Sequence, residues 1–189
     1  NITVTNCVFE HCRGLALETV DGGHLEDIEI SHITMRHIVN AGIFLRLGAR
    51  MRSPEGTPAG SMKRIRISHI NAYNVDSRYS SIISGIPNGI IEDVTFDHIH
   101  LYYKGGYTKE DGKRELPEQE KVYPEPWMFG TIPAKGFYIS HAKNISFHHI
   151  NFYYEKPDGR PLFVTKDVEN IRLTDIRENG ENVSVTINQ

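Results

Sequence analysis

"EISHIT" at residues 29–34 returns as "RISHIN" at 66–71, and the near-copies "TFDHIH" and "SFHHIN" follow at 95–100 and 146–151. Aligned on the histidine, six lines emerge: "NITVTNCVF" (1–9), "DIEISHITM" (27–35), "RIRISHINA" (64–72), "DVTFDHIHL" (93–101), "NISFHHINF" (144–152) and "NIRLTDIRE" (170–178). In each line apolar residues alternate with polar ones before a special position and again after it. That is the period-two signature of two short strands meeting at a bend. The special position holds Asn6, His32, His69, His98, His149 and Asp175, whose side chains can hydrogen-bond backbone groups at a turn. Copies stacked one above another would form a ladder along a single corner.

A third strand-like segment follows each line: "GLALET" (14–19), "GIFLRLG" (42–48), "SSIISGI" (80–86), "GFYISH" (136–141), "PLFVTK" (161–166) and "VSVTIN" (183–188). The equivalent apolar positions Ile2, Ile28, Ile65, Val94, Ile145 and Ile171 lie 26, 37, 29, 51 and 26 residues apart. The shortest interval is one turn of a solenoid, and the excess sits in loops. Three strands per period, repeated six times, predict an all-β fold: a right-handed single-stranded parallel β-helix of about six coils. No 3.6-residue period signals a long helix.

Residues 1–189 read as a single domain with insertions near 49–61 and 104–134. Loops of that length in a compact fold carry function or lack fixed structure. The first half of the longer insertion is charged and poor in apolar residues, and is expected to be mobile. Its second half, "VYPEPWMFG", holds the single tryptophan, Trp127, and is expected to pack.

The formal charge of −3 and the scatter of Lys and Arg give no basic field for phosphates, so nucleic acid is not an expected partner. No 18-residue apolar run and no signal peptide occur, so a membrane is not an expected partner either. Ten histidines suggest a metalloprotein at first sight. Metal-ligand motifs are local and convergent, whereas these recur about once per period, so they read as architecture, with no metal and no cofactor. Cys7 and Cys12 lack a CxxC spacing and read as buried thiols.

Within the third segments Leu15, Leu17, Ile43, Leu45, Leu47, Phe137, Ile139, Leu162 and Val164 are expected to point inward. Their neighbours Ala16, Glu18, Phe44, Arg46, Tyr138, Ser140, Phe163 and Thr165 then face outward. Because Gly14 aligns with Gly42, Glu18 and Arg46 fall on adjacent strands about 4.8 Å apart, where they either neutralise each other or contact a ligand. The loop leaving that strand brings Arg50 and Arg52, and the longer insertion brings Tyr123 and Trp127. Together Glu18, Arg46, Arg50, Arg52, Tyr123 and Trp127 form the predicted substrate-binding groove, with aromatic rings placed to pack against sugar. "PEPWMFG" is expected to cover at least two of Phe44, Tyr138 and Phe163.

The stretch "NITVTNCVFEHCRGLALETVDGGHLEDIEISHITM" (1–35) resembles glycoside hydrolase family 28, the pectin-degrading polygalacturonases and rhamnogalacturonases. In that family a Gly-(Leu/Ile)-Arg-Ile-Lys strand precedes a Gly-Gly turn and the next strand. Here "GLALE", "DGG" and "HLEDIEI" fall at matching places. The resemblance implies inverting hydrolysis of O-glycosidic bonds in a pectic or related plant polysaccharide or oligosaccharide, by a periplasmic or secreted enzyme.

Two departures sharpen what it implies. The family's Arg-x-Lys pair, which holds a substrate carboxylate, falls on Ala16 and Glu18, which favours a neutral or differently charged sugar. The Asn-Thr-Asp, Asp-Asp and Gly-His-Gly motifs that carry catalysis in the family do not occur in this sequence. The chain is therefore expected to be the C-terminal part of such an enzyme, with catalytic acids upstream, no catalytic residue of its own, and no activity alone. The rivals are a non-catalytic glycan-binding or structural β-helix module and a polysaccharide lyase. A lyase would need a calcium-binding carboxylate cluster on the outer face, where Glu18 stands alone. A chain starting within a repeat exposes its first coil, so self-association through that N-terminal coil is also expected.

Overall fold

The computed structural model of the chain describes residues 1–185 and 187. Its strands are β1 (Ile2–Glu10), β2 (Leu15–Thr19), β3 (His24–Ile38), β4 (Ile43–Leu47), β5 (Ser61–Val75), β6 (Ser81–Ser84), β7 (Ile91–Tyr103), β8 (Phe137–Tyr154), β9 (Phe163–Glu178) and β10 (Glu181–Asn182). Short 3₁₀ turns at Asp111–Lys113 and Pro126–Phe129 are the helical content among the described residues. No helix there is long and apolar enough to cross a membrane.

The fold is all-β, a curled sheet of parallel strands in the order β1-β3-β5-β7-β8-β6-β4-β2. β9 adds in parallel to β8, and β10 folds back antiparallel on β9. The curl follows from β8. Its residues 137–140 pair with β6 and its residues 142–154 pair with β7, so one strand belongs to both flanks. The six aligned lines stack as the sequence spacing requires: Ile2 pairs Ile28, then Ile65, Val94, Ile145 and Ile171 in turn. Inward alternation packs Ile30, Ile67, Phe96 and Phe147 into a continuous apolar core. Each large side chain there contributes roughly 1.5–3 kcal/mol of burial.

The corner is a column of left-handed residues. Asn6, His32, His69, His98, His149 and Asp175 have φ between 51° and 56°. The backbone pairing skips Asn6 and His32, while their neighbours on both sides remain in register. This conformation costs an ordinary L-residue about 1–2 kcal/mol, and Asn, Asp and His are enriched in it. The imidazoles stack with centroids 4.7 Å apart for His32 and His69, 5.1 Å for His69 and His98, and 4.4 Å for His98 and His149. Two further columns flank this one at five-residue spacing. Asp27, Arg64, Asp93, Asn144 and Asn170 form one; His11, His37 and Asn74 belong to the other. Arg64 is the unexpected occupant, and it bonds Asp27 at 2.6 Å and Glu26 at 2.7 Å.

Several expectations need correction. Segments 136–141 and 161–166 are largely the opening residues of β8 and β9 instead of separate strands. Phe163 pairs with Phe137 and Val164 with Tyr138, so Phe163 faces inward and Val164 outward. A register slip of one residue reverses every side chain, and Leu162, just before β9, hid the slip. The expected strand over 183–188 is not one at 183–185, and its residues 186 and 188 lie outside the described residues. Cys7 and Cys12 are unpaired but only partly buried. Cys7 lies in the edge strand β1, which leaves Ile2 and Val8 exposed, and Cys12 lies in the bend after it.

Candidate functional site

The outer face of β2, β4, β6 and β8 is not one open groove. Phe44, Ile82 and Tyr138 point away from the main core into a second apolar cluster with Leu116, Met128, Phe129 and Ile132. The second half of the long insertion therefore lies over the middle of this face, covering Phe44 and Tyr138 as expected. The first half is mostly exposed, yet Gly106 N–H and Gly159 N–H tie it to the 157–159 turn through Pro157 O and Tyr107 O.

Arg46 is the main correction to the predicted site. It pairs with Glu18 in the expected register, but it is 1% exposed and lies beneath the insertion. Its Nη1 donates to Ser84 Oγ at 2.7 Å and Gly85 O at 3.1 Å. Its Nη2 donates to Glu118 O at 2.9 Å and Gln119 O at 3.0 Å. Phe129 stacks on it, with the ring centroid 5.5 Å from Cζ. Burial draws its pKa down to about 10, against the pull of Glu118 and Glu120, so it remains charged at neutral pH. Five hydrogen-bond donors in a fixed fork suit the carbonyls of an irregular strap.

A second anchor went unnoticed in the sequence. His141 is buried, with Nδ1 2.7 Å from Asp167 Oδ2 and Nε2 2.8 Å from Glu118 Oε2. Lys166 Nζ bonds the other oxygen of Glu118. Burial works against ionisation of Glu118, yet Lys166 and His141 together hold its carboxyl below the usual range. The polar "SH" ending the third segment at 140–141 was the available signal. Nothing in the sequence said that residue 118 would meet it.

The β2 end of the face stays open. Gly14 permits this placement: its φ is 94°, and a Cβ there would sit 1.9 Å from Ala41 O. Only glycine allows β2 to lie so close to β4 and carry Glu18 to the outer surface. Glu18, Thr19, Asp21, Arg50, Tyr123 and Pro124 line an open pocket of about 400 Å³. Partial burial first, and the Glu125 carboxylate second, push the Glu18 carboxyl up to about 7. Glu125 itself accepts from Asn40 Nδ2 at 3.1 Å and from Arg13.

Arg50 reaches Asp21 through Nε at 3.2 Å and through Nη2, while Arg52 donates its backbone N–H to the same carboxylate at 3.0 Å. The Arg50 hydrogen bonds, then that amide, draw Asp21 down to about 2. Arg50 also lies over the Tyr123 ring, 5.5 Å from its centroid, and Tyr123 remains 54% exposed. Arg52 thus contributes through its backbone and leaves its side chain in solvent. Trp127 is also exposed, at 56%, but is not among the residues lining this pocket.

Of the six expected residues, then, Glu18, Arg50 and Tyr123 come together. Arg52 supports them from behind, Arg46 serves the strap, and Trp127 stands apart from the lining. A larger depression of about 550 Å³ over β3, β5 and β7 is lined by Asp27, Arg64 and Asp93. Its Arg64 is already held by two carboxylates and no aromatic ring lines it, so it lacks the chemistry of the smaller pocket. Beyond the strap, Tyr138, Val164 and Lys166 line a depression of about 380 Å³. Asp97, His98 and His149 on the corner column bring three metal-ligand atoms within 4.8 Å of one another. No protein-family model, no curated protein and no solved structure matches the chain.

Proposed function

We propose that the curled parallel sheet is a right-handed β-helix of about six coils and forms the C-terminal portion of a glycoside hydrolase. Its substrate is a pectic or related plant polysaccharide, the catalytic acids come from residues other than these, and the resemblance to family 28 supplies the reaction class. The observation that carries the reading is the pocket in which an exposed Tyr123 ring, the raised carboxyl of Glu18 and the Arg50–Asp21 pair converge. An aromatic face flanked by polar donors and acceptors is what a pyranose ring needs.

The charges also indicate which sugar. Arg50 is neutralised by Asp21, and Arg13 by Glu125, so among the described residues that line this pocket no unpaired cation awaits a uronate carboxylate. Glu18, protonated up to about pH 7, donates a hydrogen bond to a hydroxyl or ring oxygen. The pocket therefore selects a neutral sugar residue of the polymer.

Affinity electrophoresis tests this: the chain is expected to be retarded by rhamnogalacturonan and not by polygalacturonate, with Tyr123→Ala removing the retardation. No reducing sugar is expected to be released by the chain alone. Migration indifferent to every pectic polymer would contradict the reading. The second reading, a non-catalytic glycan-binding module, rests on the missing catalytic motifs. It predicts the same retardation but no hydrolysis by the whole protein.

The open edge of β1, with Ile2 and Val8 exposed, supports association between copies through this strand. Sedimentation velocity is expected to show a concentration-dependent dimer, which Val8→Lys weakens. A strictly monomeric profile at high concentration would contradict it.

A further inference from the structure

Histidines dispersed in a sequence do not announce a metal site, but solenoid stacking makes sequence separation a poor guide. His98 and His149 are 51 residues apart, yet their ring centroids are 4.4 Å apart. We propose that Asp97, His98 and His149 form a surface site for a divalent transition-metal ion of the zinc and copper class.

The ligand atoms already converge. Asp97 Oδ1 lies 2.8 Å from His98 Nδ1 and 3.0 Å from His149 Nδ1. A tetrahedral zinc with bonds of roughly 2.0–2.1 Å separates its ligand atoms by about 3.3 Å. Both nitrogen–oxygen distances are within a few tenths of that value. The two nitrogens, within 4.8 Å of one another, need a rotation of the rings to close further. The rings have room to turn, because both histidine side chains are 49% exposed and Asp97 is 36% exposed.

The backbone beneath them is fixed: residues 98 and 149 hold the left-handed conformation at φ 53° and 54°, and Asp97 pairs in register with His148. This pair of rings is also tilted by 30°, whereas His69 and His98 are within 1° of parallel and His32 and His69 within 4°. The ladder therefore departs from flat stacking where a carboxylate stands between two imidazoles. Two imidazole nitrogens and one carboxylate oxygen suit zinc and copper over calcium or magnesium, which prefer all-oxygen sets. One or more coordination positions would face solvent, since the site is open.

Calorimetric titration of Zn²⁺, and separately Cu²⁺, into the untagged chain tests the site. One ion per chain is expected, with affinity falling about tenfold or more in Asp97→Asn and in His149→Asn. Asparagine tolerates the left-handed corner, so the second variant keeps the fold, which circular dichroism verifies. His32→Asn, on the same column but outside the triad, is expected to bind as the parent does. In the parent, Co²⁺ is expected to give visible absorption bands that both triad variants lose. Absence of stoichiometric binding, or equal affinity in all four proteins, would overturn the proposal.

Discussion

Glu18 and Arg46 pair in register across β2 and β4, yet no ion pair joins them among the described residues. Arg46 spends its donors on the strap formed by 118–119 and on the next strand, while Glu18 faces the open pocket beside Glu125. Partial burial first, and the Glu125 carboxylate close by second, hold Glu18 in its neutral form. Arg46 and Glu18, neighbours in register, thus serve different surroundings: one the strap, the other the pocket.

That arrangement fixes a pH dependence. The folded carboxyl of Glu18 titrates near 7, above its ordinary value of 4.5. Its contribution to stability is fully present below the ordinary value and is lost as pH rises through 7. Glu18→Gln, neutral at every pH, is expected to leave the melting temperature unchanged at pH 4 and raise it at pH 8. Solvent screening keeps the gain below the full linkage value. Glycan affinity of the parent is expected to fall between pH 6 and 8, and the amide variant to retain it. Identical pH profiles for parent and variant would contradict the shifted carboxyl.

Arg46→Met keeps the apolar stem and removes the fork. Backbone carbonyls at 85, 118 and 119 would lose their donor. Stability is expected to drop by on the order of 3 kcal/mol, and trypsin is expected to cut between 109 and 121 far faster. Arg46→Lys recovers only part of the loss, because one ammonium cannot span all the acceptors. A Met variant as stable as the parent in urea would show that the strap is held by its apolar cluster alone.

The corner column makes a separate prediction. His69→Asn loses ring stacking on both sides but accepts φ 53°, and is expected to cost about 1 kcal/mol. His69→Val adds the penalty for a left-handed β-branched residue, so roughly 1–2 kcal/mol more is expected. Urea midpoints measure both, and equal midpoints would contradict the left-handed corner.

These examples also show what the sequence revealed. The alternation resets at His32, His69, His98 and His149, and this single feature yielded the strand pairing from Ile2 to Ile171 without error. Strand register is a local property, so periodicity could expose it. The flanking columns at Asp27 and His37 were not read, because a five-residue spacing does not resemble either standard period and Arg64 interrupts the Asn, Asp and His enrichment. The site was half legible. Strand register placed Glu18, and the departing loop placed Arg50. Where the long insertion would settle was not legible, because its anchors, Glu118 on His141 and the 118–119 carbonyls on Arg46, join segments 23 and 72 or 73 residues apart through irregular backbone.

The most direct test is a crystal structure of the chain bound to a neutral-sugar-containing pectic oligosaccharide. A pyranose is expected to lie against the Tyr123 ring, with a hydroxyl or ring oxygen within hydrogen-bond distance of Glu18 and the Arg50–Asp21 pair intact. An oligosaccharide seated elsewhere on the sheet, with Tyr123 and Glu18 free of it, would contradict the assignment of this pocket as the glycan site.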